Sequence, residues 1–142
     1  MKRFISILSV LAIVISLTNC EKVVSNKYSG TYQGSLSSSV GSSSEKKDNI
    51  KILITNSALD EEALYMNAMP LTKKSDTQYE LSGTQLVTII QLIFPSVSGE
   101  QIKKATCKLT FSTDHLDMNL SYELYDIMDV KVITFSGDKV KK

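Results

Sequence analysis

The residues able to do chemistry are few: two cysteines, Cys20 and Cys107, and one histidine, His115, in a chain of 142 residues. A cysteine thiolate is a nucleophile that takes up alkyl or acyl groups. Cys20 ends a long apolar stretch, directly after Leu17-Thr18-Asn19. Cys107 falls in "ATCKLTF", in phase with Ala105, Leu109 and Phe111, and reads as a small buried hydrophobe. Asp114 and Asp117 flank His115. An Asp-His-Asp set can ligate a metal, but one histidine and one spare cysteine fall short of a structural zinc site. The "STDH" context reads instead as a solvated turn. Asp60, Glu61 and Glu62 are adjacent. Paired carboxylates do acid–base work, yet neighbours on a strand face opposite ways, so this run reads as a charged loop. A Gly-x-Ser-x-Gly elbow, a phosphate loop and a dinucleotide fingerprint are all missing. The expectation is a non-enzyme without metal or cofactor.

The elements that would carry these residues are strands. "YSGTYQGSL" puts Tyr28, Gly30, Tyr32, Gly34 and Leu36 on one face. "IKILIT" alternates at Ile50, Ile52 and Ile54, "ALYMNAM" at Leu64, Met66 and Ala68, and "TQYELSG" at Tyr79 and Leu81. "HLDMNLSYEL" alternates most cleanly, with Leu116, Met118, Leu120, Tyr122 and Leu124 on one side. "VKVITF" (130–135) follows. Period-two alternation predicts half-buried strands, and one wet face suits an antiparallel meander. Turns are predicted at Lys73–Asp76, Ser112–His115 and Tyr125–Asp129. The serine-rich stretch Ser37–Asp48 predicts a mobile loop. In "TQLVTIIQLIFPS", Gln85, Thr88 and Gln91 stand three apart. That spacing predicts a short apolar helix ending before Pro95; the Val and Ile content leaves a strand as the alternative. A polar helical turn is predicted over Ser98–Ala105. The fold class is all-β, mainly antiparallel: a small meander barrel of 7–8 strands with one short helix around 84–94.

The front of the chain has a basic head, Lys2-Arg3, an apolar run, Phe4–Leu17, and a short polar end. This is the layout of a secretory signal. As a helix the run would span roughly 21 Å, short of a bilayer core of about 30 Å. Leu17-Thr18-Asn19-Cys20 resembles a bacterial lipobox, with Asn19 where Gly, Ala or Ser is usual. The resemblance implies cleavage before Cys20, with residues 1–19 as the signal and Cys20 acylated. Residues 20–27 are then a tether reaching at most about 25 Å, and 28–142 a single domain. Removing Lys2 and Arg3 leaves 14 basic and 15 acidic side chains, formal net charge −1, with no basic excess for nucleic acid.

"YSGTYQG" resembles the opening of calycin-like and lipocalin-like β-barrel domains of bacterial lipoproteins. There a Gly-x-aromatic motif begins the first strand and its ring closes the barrel floor; Gly30-Thr31-Tyr32 takes that place, with Tyr for the usual Trp. The family also lays a basic side chain of the last strand over that ring, for which Lys131 is the candidate. The resemblance implies binding of a small apolar or amphipathic ligand, or inhibition of a protease. Tyr32, Met66, Tyr79, Met118 and Tyr122 would line the ligand cavity, although the same residues also suit plain core packing. The expected protein is anchored by acyl chains in the bacterial cell envelope, at the outer membrane or cell surface rather than the inner membrane. Its alternative role is a protein-interaction module with a filled core: an adhesin, assembly factor or inhibitor.

Overall fold

A computed structural model describes residues 26–40, 42–95 and 97–141. The alternating segments become nine strands: β1 (Gly30–Val40), β2 (Ser43–Asn56), β3 (Leu64–Met66), β4 (Met69–Pro70), β5 (Thr72–Lys73), β6 (Gln78–Leu81), β7 (Ile102–Ser112), β8 (His115–Leu124) and β9 (Ile127–Lys139). All neighbours are antiparallel, in the order β4-β3-β2-β1-β9-β8-β7-β6-β5. The first and last strands pair over nine residues, from Tyr32↔Lys139 to Val40↔Lys131. The two ends of the sheet, β4 and β5, are separated only by Leu71. Its amide donates to the Leu64 carbonyl at 2.8 Å, extending the β3–β4 ladder, and Thr72 and Lys73 then turn to pair with Glu80 and Tyr79. One short crossing segment thus joins both ends of the sheet into a nearly closed barrel. The excess over the expected 7–8 strands comes from this segment, split in two by its change of partner.

The inward faces follow the alternation. Ile52, Ile54, Leu64, Met66, Leu81, Cys107, Leu109, Leu116, Leu120 and Phe135 belong to one continuous core. Ala68 departs from expectation. β3 stops at Met66, and Asn67 (φ 47°) and Ala68 (φ 68°) form a two-residue turn that leaves Ala68 exposed. Two successive positive φ values match the right-handed twist of a hairpin and favour Asn-Gly there. Asn67 secures the turn: its Oδ1 accepts the Leu53 amide at 3.1 Å. A side chain at Ala68's φ carries a steric penalty of about 1–2 kcal/mol. Ala68→Gly is therefore expected to raise stability by about 1 kcal/mol, measured as a higher urea midpoint with unchanged m-value.

The serine stretch is not a loop. Ser37–Val40 pair with Ser43–Lys46 on one side and with Lys131–Thr134 on the other. Serines pack no core, but their backbone is held on both flanks by the ladder. A bulge between Gly34 and Leu36, with Asn49 at φ 61°, marks where this polar hairpin leaves the barrel body. The helix forms as the glutamine spacing predicts. In α1 (Thr84–Ile93), Leu86, Ile89 and Ile90 are buried, while Thr88 and Gln91 face solvent. The apolar stripe gains more from burial than the β-branched residues lose in helix propensity. After Pro95 a 3₁₀ turn (Gly99–Gln101) is closed by reciprocal Ser98 and Gln101 capping bonds, and β7 begins at Ile102, earlier than Ala105. The β8–β9 turn is likewise tighter than expected, confined to Tyr125–Asp126.

The barrel has two unlike ends. At one, the incoming segment 26–29, loop 57–63, the β7–β8 turn and residues 140–141 gather. At the other lie the serine hairpin, the Tyr125–Asp126 turn, α1 and the 3₁₀ turn.

Candidate functional site

The first end is a floor of aromatic rings. Phe111 stacks on Tyr28 with centroids 4.6 Å apart, and meets Tyr79 and Tyr32 edge-on at 5.6 and 6.0 Å. The Tyr28 hydroxyl donates to the Asp76 carbonyl and the Tyr32 hydroxyl to the Tyr28 carbonyl, both at 2.9 Å. Burial, helped by the nearby Asp114 charge, pushes the Tyr32 phenol up to about 12. Tyr32 is thus a fixed, neutral donor.

All five residues expected to line a cavity point inward. Tyr32, Met66, Tyr79, Met118 and Tyr122 are 0–4% exposed. All five belong to the one core cluster. α1 adds Leu86, Ile89 and Ile90 to the same core. Cys107 is buried as expected, and desolvation raises its thiol to about 12, which leaves it a poor nucleophile.

Tyr122 differs from the other tyrosines. Its hydroxyl is buried and has no hydrogen-bond partner among the described residues. Its ring lies near the second end of the barrel, 6.2 Å from the Phe94 ring just past α1. Lys131 is not over Tyr32. Its ammonium stands 5.8 Å from the Tyr122 centroid, because the β8–β9 register pairs Lys131 with Tyr122. The last-strand lysine opposite Tyr32 is Lys139, which donates to the Lys27 carbonyl at 2.8 Å. Phe94 and Lys131 also line a cleft of about 180 Å³ beneath the serine hairpin, with Ser38, Ser43, Glu45 and Ile133. The sequence offers no local signal for this mouth, because strand register places residues 38, 122 and 131 and the end of α1 places Phe94 beside them.

His115 starts β8 rather than sitting in a free turn, and its partners differ from those expected. Nδ1 faces the Asp138 carboxylate at 2.6 Å; Nε2 faces the Ser136 hydroxyl at 3.0 Å and Asp117 at 3.2 Å. Asp114 is not among its side-chain partners; its backbone carbonyl accepts the Lys139 amide. Asp117 and Asp138 approach opposite ring nitrogens, so they cannot share one metal with His115, and among the described residues no cluster of metal-ligating side chains occurs. The Asp138 hydrogen bond, against a smaller desolvation effect and with help from Asp117, raises the His115 pKa above its ordinary 6.5. A raised folded-state pKa means that the stabilisation is fully present below about 6.5 and is lost as pH rises through the folded value. His115 is 35% exposed and Asp138 85%, so screening holds the effect below about 1 kcal/mol. The stability gap between wild type and His115→Gln is expected to shrink between pH 5.5 and 8.5, and to vanish in an Asp117→Asn/Asp138→Asn background. Denaturant titrations at the two pH values measure both.

Asp60, Glu61 and Glu62 lie in an exposed loop, as expected. Asp60 caps the Glu62 amide at 3.0 Å, and Glu62 pairs with Lys73 at 3.3 Å.

No family model matches the chain, and no curated protein matches it. Among solved structures it is similar to a protein of Bacteroides fragilis NCTC 9343 described as a putative outer membrane protein, with 17% identity and a TM-score of 0.48. The likeness covers 80% of this chain and 51% of the other, so this chain spans about half the length of that neighbour. At this level of likeness neither a family nor a function passes from one chain to the other.

Proposed function

We propose that the chain is a lipid-anchored protein of the bacterial cell envelope whose barrel is a packed scaffold for contact with another protein. The observation that supports this reading is the packed core: the five inward tyrosines and methionines are 0–4% exposed and share one cluster with Leu86, Ile89 and Ile90 of α1. A carrier that encloses its ligand in the barrel would need space among those side chains. What remains for recognition is the outer surface, and it is uneven. Tyr125, Met128 and Val130 are 68%, 105% and 46% exposed at the β8–β9 hairpin, at the end opposite to where residue 26 enters.

The anchor rests on the lipobox resemblance. Leu17, Thr18, Asn19 and Cys20, with the whole of 1–19 and most of the tether, lie outside the described residues. With acyl chains on Cys20, a short tether keeps the aromatic floor toward the membrane and the Tyr125 hairpin away from it. Two or more chains, at about 0.8 kcal/mol per buried methylene, give stable attachment. Metabolic labelling with radioactive palmitate tests this: label in wild type but not in Cys20→Ala supports the anchor, and equal labelling overturns it. A photo-crosslinker at position 128 tests the contact surface in cells. A discrete adduct lost in Tyr125→Ser/Val130→Ser supports the interaction reading; an adduct unchanged by those substitutions, or none, overturns it.

A further inference from the structure

Strand register sets four polar side chains side by side on the outer wall of the barrel. His115 stands opposite Asp138, and Asp117, two residues along β8, stands opposite Ser136. His115 Nε2 is 3.0 Å from the Ser136 hydroxyl, and Nδ1 is 2.6 Å from the Asp138 carboxylate. A hydroxyl on one ring nitrogen and a carboxylate on the other is the geometry that turns a serine into a nucleophile. Ser136 also lines a groove of about 200 Å³ on the same wall. The next cross-strand row of that groove is Lys108, Asn119 and Thr134, all exposed. Their ammonium, amide and hydroxyl are donors of the kind a developing oxyanion needs. No local motif announces this set, because β8 and β9 bring its members together across more than twenty residues.

We propose that this block is an esterase site for small neutral esters with good leaving groups, with Ser136 as nucleophile, His115 as general base and Asp138 as the positioning residue. The Ser136 Oγ attacks the ester carbonyl carbon, and its proton passes to His115 Nε2. The tetrahedral intermediate expels the alkoxide, which takes that proton and leaves as the alcohol. Water then attacks the carbonyl carbon of acyl-Ser136 and gives a proton to Nε2. The Ser136 Oγ leaves, recovers the proton, and the carboxylic acid is released. The sum is ester plus water to acid plus alcohol. Asp138 accepts from Nδ1–H and so keeps the lone pair on Nε2. Asp117, 3.2 Å from Nε2, works against the base by favouring the protonated ring. As a wall of the groove it also disfavours anionic substrates. His115 and both carboxylates are open to solvent, which screens their charges and limits the site to activated esters such as aryl acetates. The site stands apart from the protein contact proposed above, since none of its residues belongs to the Tyr125 hairpin.

Hydrolysis needs the neutral ring. The charged groups facing it are Asp117 on its own strand and Asp138 on β9; β7 sets the uncharged Ser112 opposite it. Both carboxylates favour the imidazolium, so the rate is expected to rise with pH through the folded-state pKa. Asp117→Asn is expected to move that rise to lower pH. The test uses the full chain in phosphatidylcholine nanodiscs, with p-nitrophenyl acetate as substrate and an alkyl fluorophosphonate as covalent probe. Wild type is expected to hydrolyse the ester and to carry the phosphonyl group on Ser136, located by peptide mass spectrometry. Ser136→Ala and His115→Gln are each expected to lower kcat/KM by about tenfold or more and to abolish the label. Asp138→Asn is expected to lower kcat several-fold with KM unchanged, and Asp138→Glu to recover part of the loss. A rate that survives Ser136→Ala belongs to the imidazole acting alone and overturns the proposal. No label on Ser136, equal labelling in His115→Gln, or an unmoved pH profile in Asp117→Asn overturns it too.

Discussion

Phe111→Ala is expected to lower the unfolding free energy by about 3–5 kcal/mol, the range for truncating a buried phenylalanine. Phe111 is 1% exposed and is the ring that touches all three tyrosines of the floor. Each aromatic pair contributes about 0.5–1.5 kcal/mol beyond the area it buries. The three rings around the void belong to different parts of the chain: Tyr28 before β1, Tyr32 in β1 and Tyr79 in β6. None can collapse into it without leaving its own ladder or hydrogen bond. Against a total stability of about 5–15 kcal/mol for a domain of this size, the loss takes a large share. Urea unfolding measures it, with Phe111→Leu as the control, expected to cost about 1.5 kcal/mol or less. A loss under about 1 kcal/mol in Phe111→Ala would show that the floor does not hold the barrel together.

Gly34→Ala is expected to open the seam between the first and last strands. A Cβ on Gly34 would collide with the Ser136 carbonyl and with the Gly137 Cα, its cross-strand partner. Both are backbone atoms inside a ladder, so the only relief is to part β1 from β9. Overpacking usually costs about 1–3 kcal/mol; with backbone as the obstacle, about 3 kcal/mol or more is expected. Hydrogen exchange should localise the damage: amides of residues 35–38 and 133–136 lose protection while the β7–β8 ladder keeps it. Gly83→Ala is the contrast. A Cβ there meets nothing within 4 Å, and the cost is only that of φ +72°, about 1–2 kcal/mol. If Gly34→Ala were as mild as Gly83→Ala, the barrel would not depend on the close approach of its closing strands.

Most of the wall was legible from alternation because a strand's inward face is set by period two alone. Residues 115–124 show this best: Leu116, Met118, Leu120, Tyr122 and Leu124 are all buried. Ala68 and the serine stretch were misread for opposite reasons. Ala68 continues an apolar phase, but its backbone turns out of the strand, and residue type carries little warning of that at an alanine. The serines lack any apolar phase, yet two flanking strands hold them in a ladder that no local property of Ser37–Val40 announces. For residues 84–94 polar spacing favours a helix and propensity a strand; the helix that forms, with Leu86, Ile89 and Ile90 buried, shows why spacing is the stronger guide.

The site divides in the same way. Composition and spacing determined, by themselves, an antiparallel β domain, inward tyrosines and methionines, and a buried Cys107; between helix and strand before Pro95 the structure decided for the helix. The first three are local consequences of which side chains leave water at which period. Tertiary structure decided what the inward side chains do. The nearly closed barrel brings Tyr28, Tyr32, Tyr79 and Phe111 into one floor. Register sets Lys131 over Tyr122 and not Tyr32, and carries Asp138 and Ser136 to His115 across more than twenty residues. It also leaves the Tyr122 hydroxyl without a partner among the described residues. Pairing between distant strands depends on the sum of all cross-strand contacts, so a shift of one residue would rearrange every one of these neighbours.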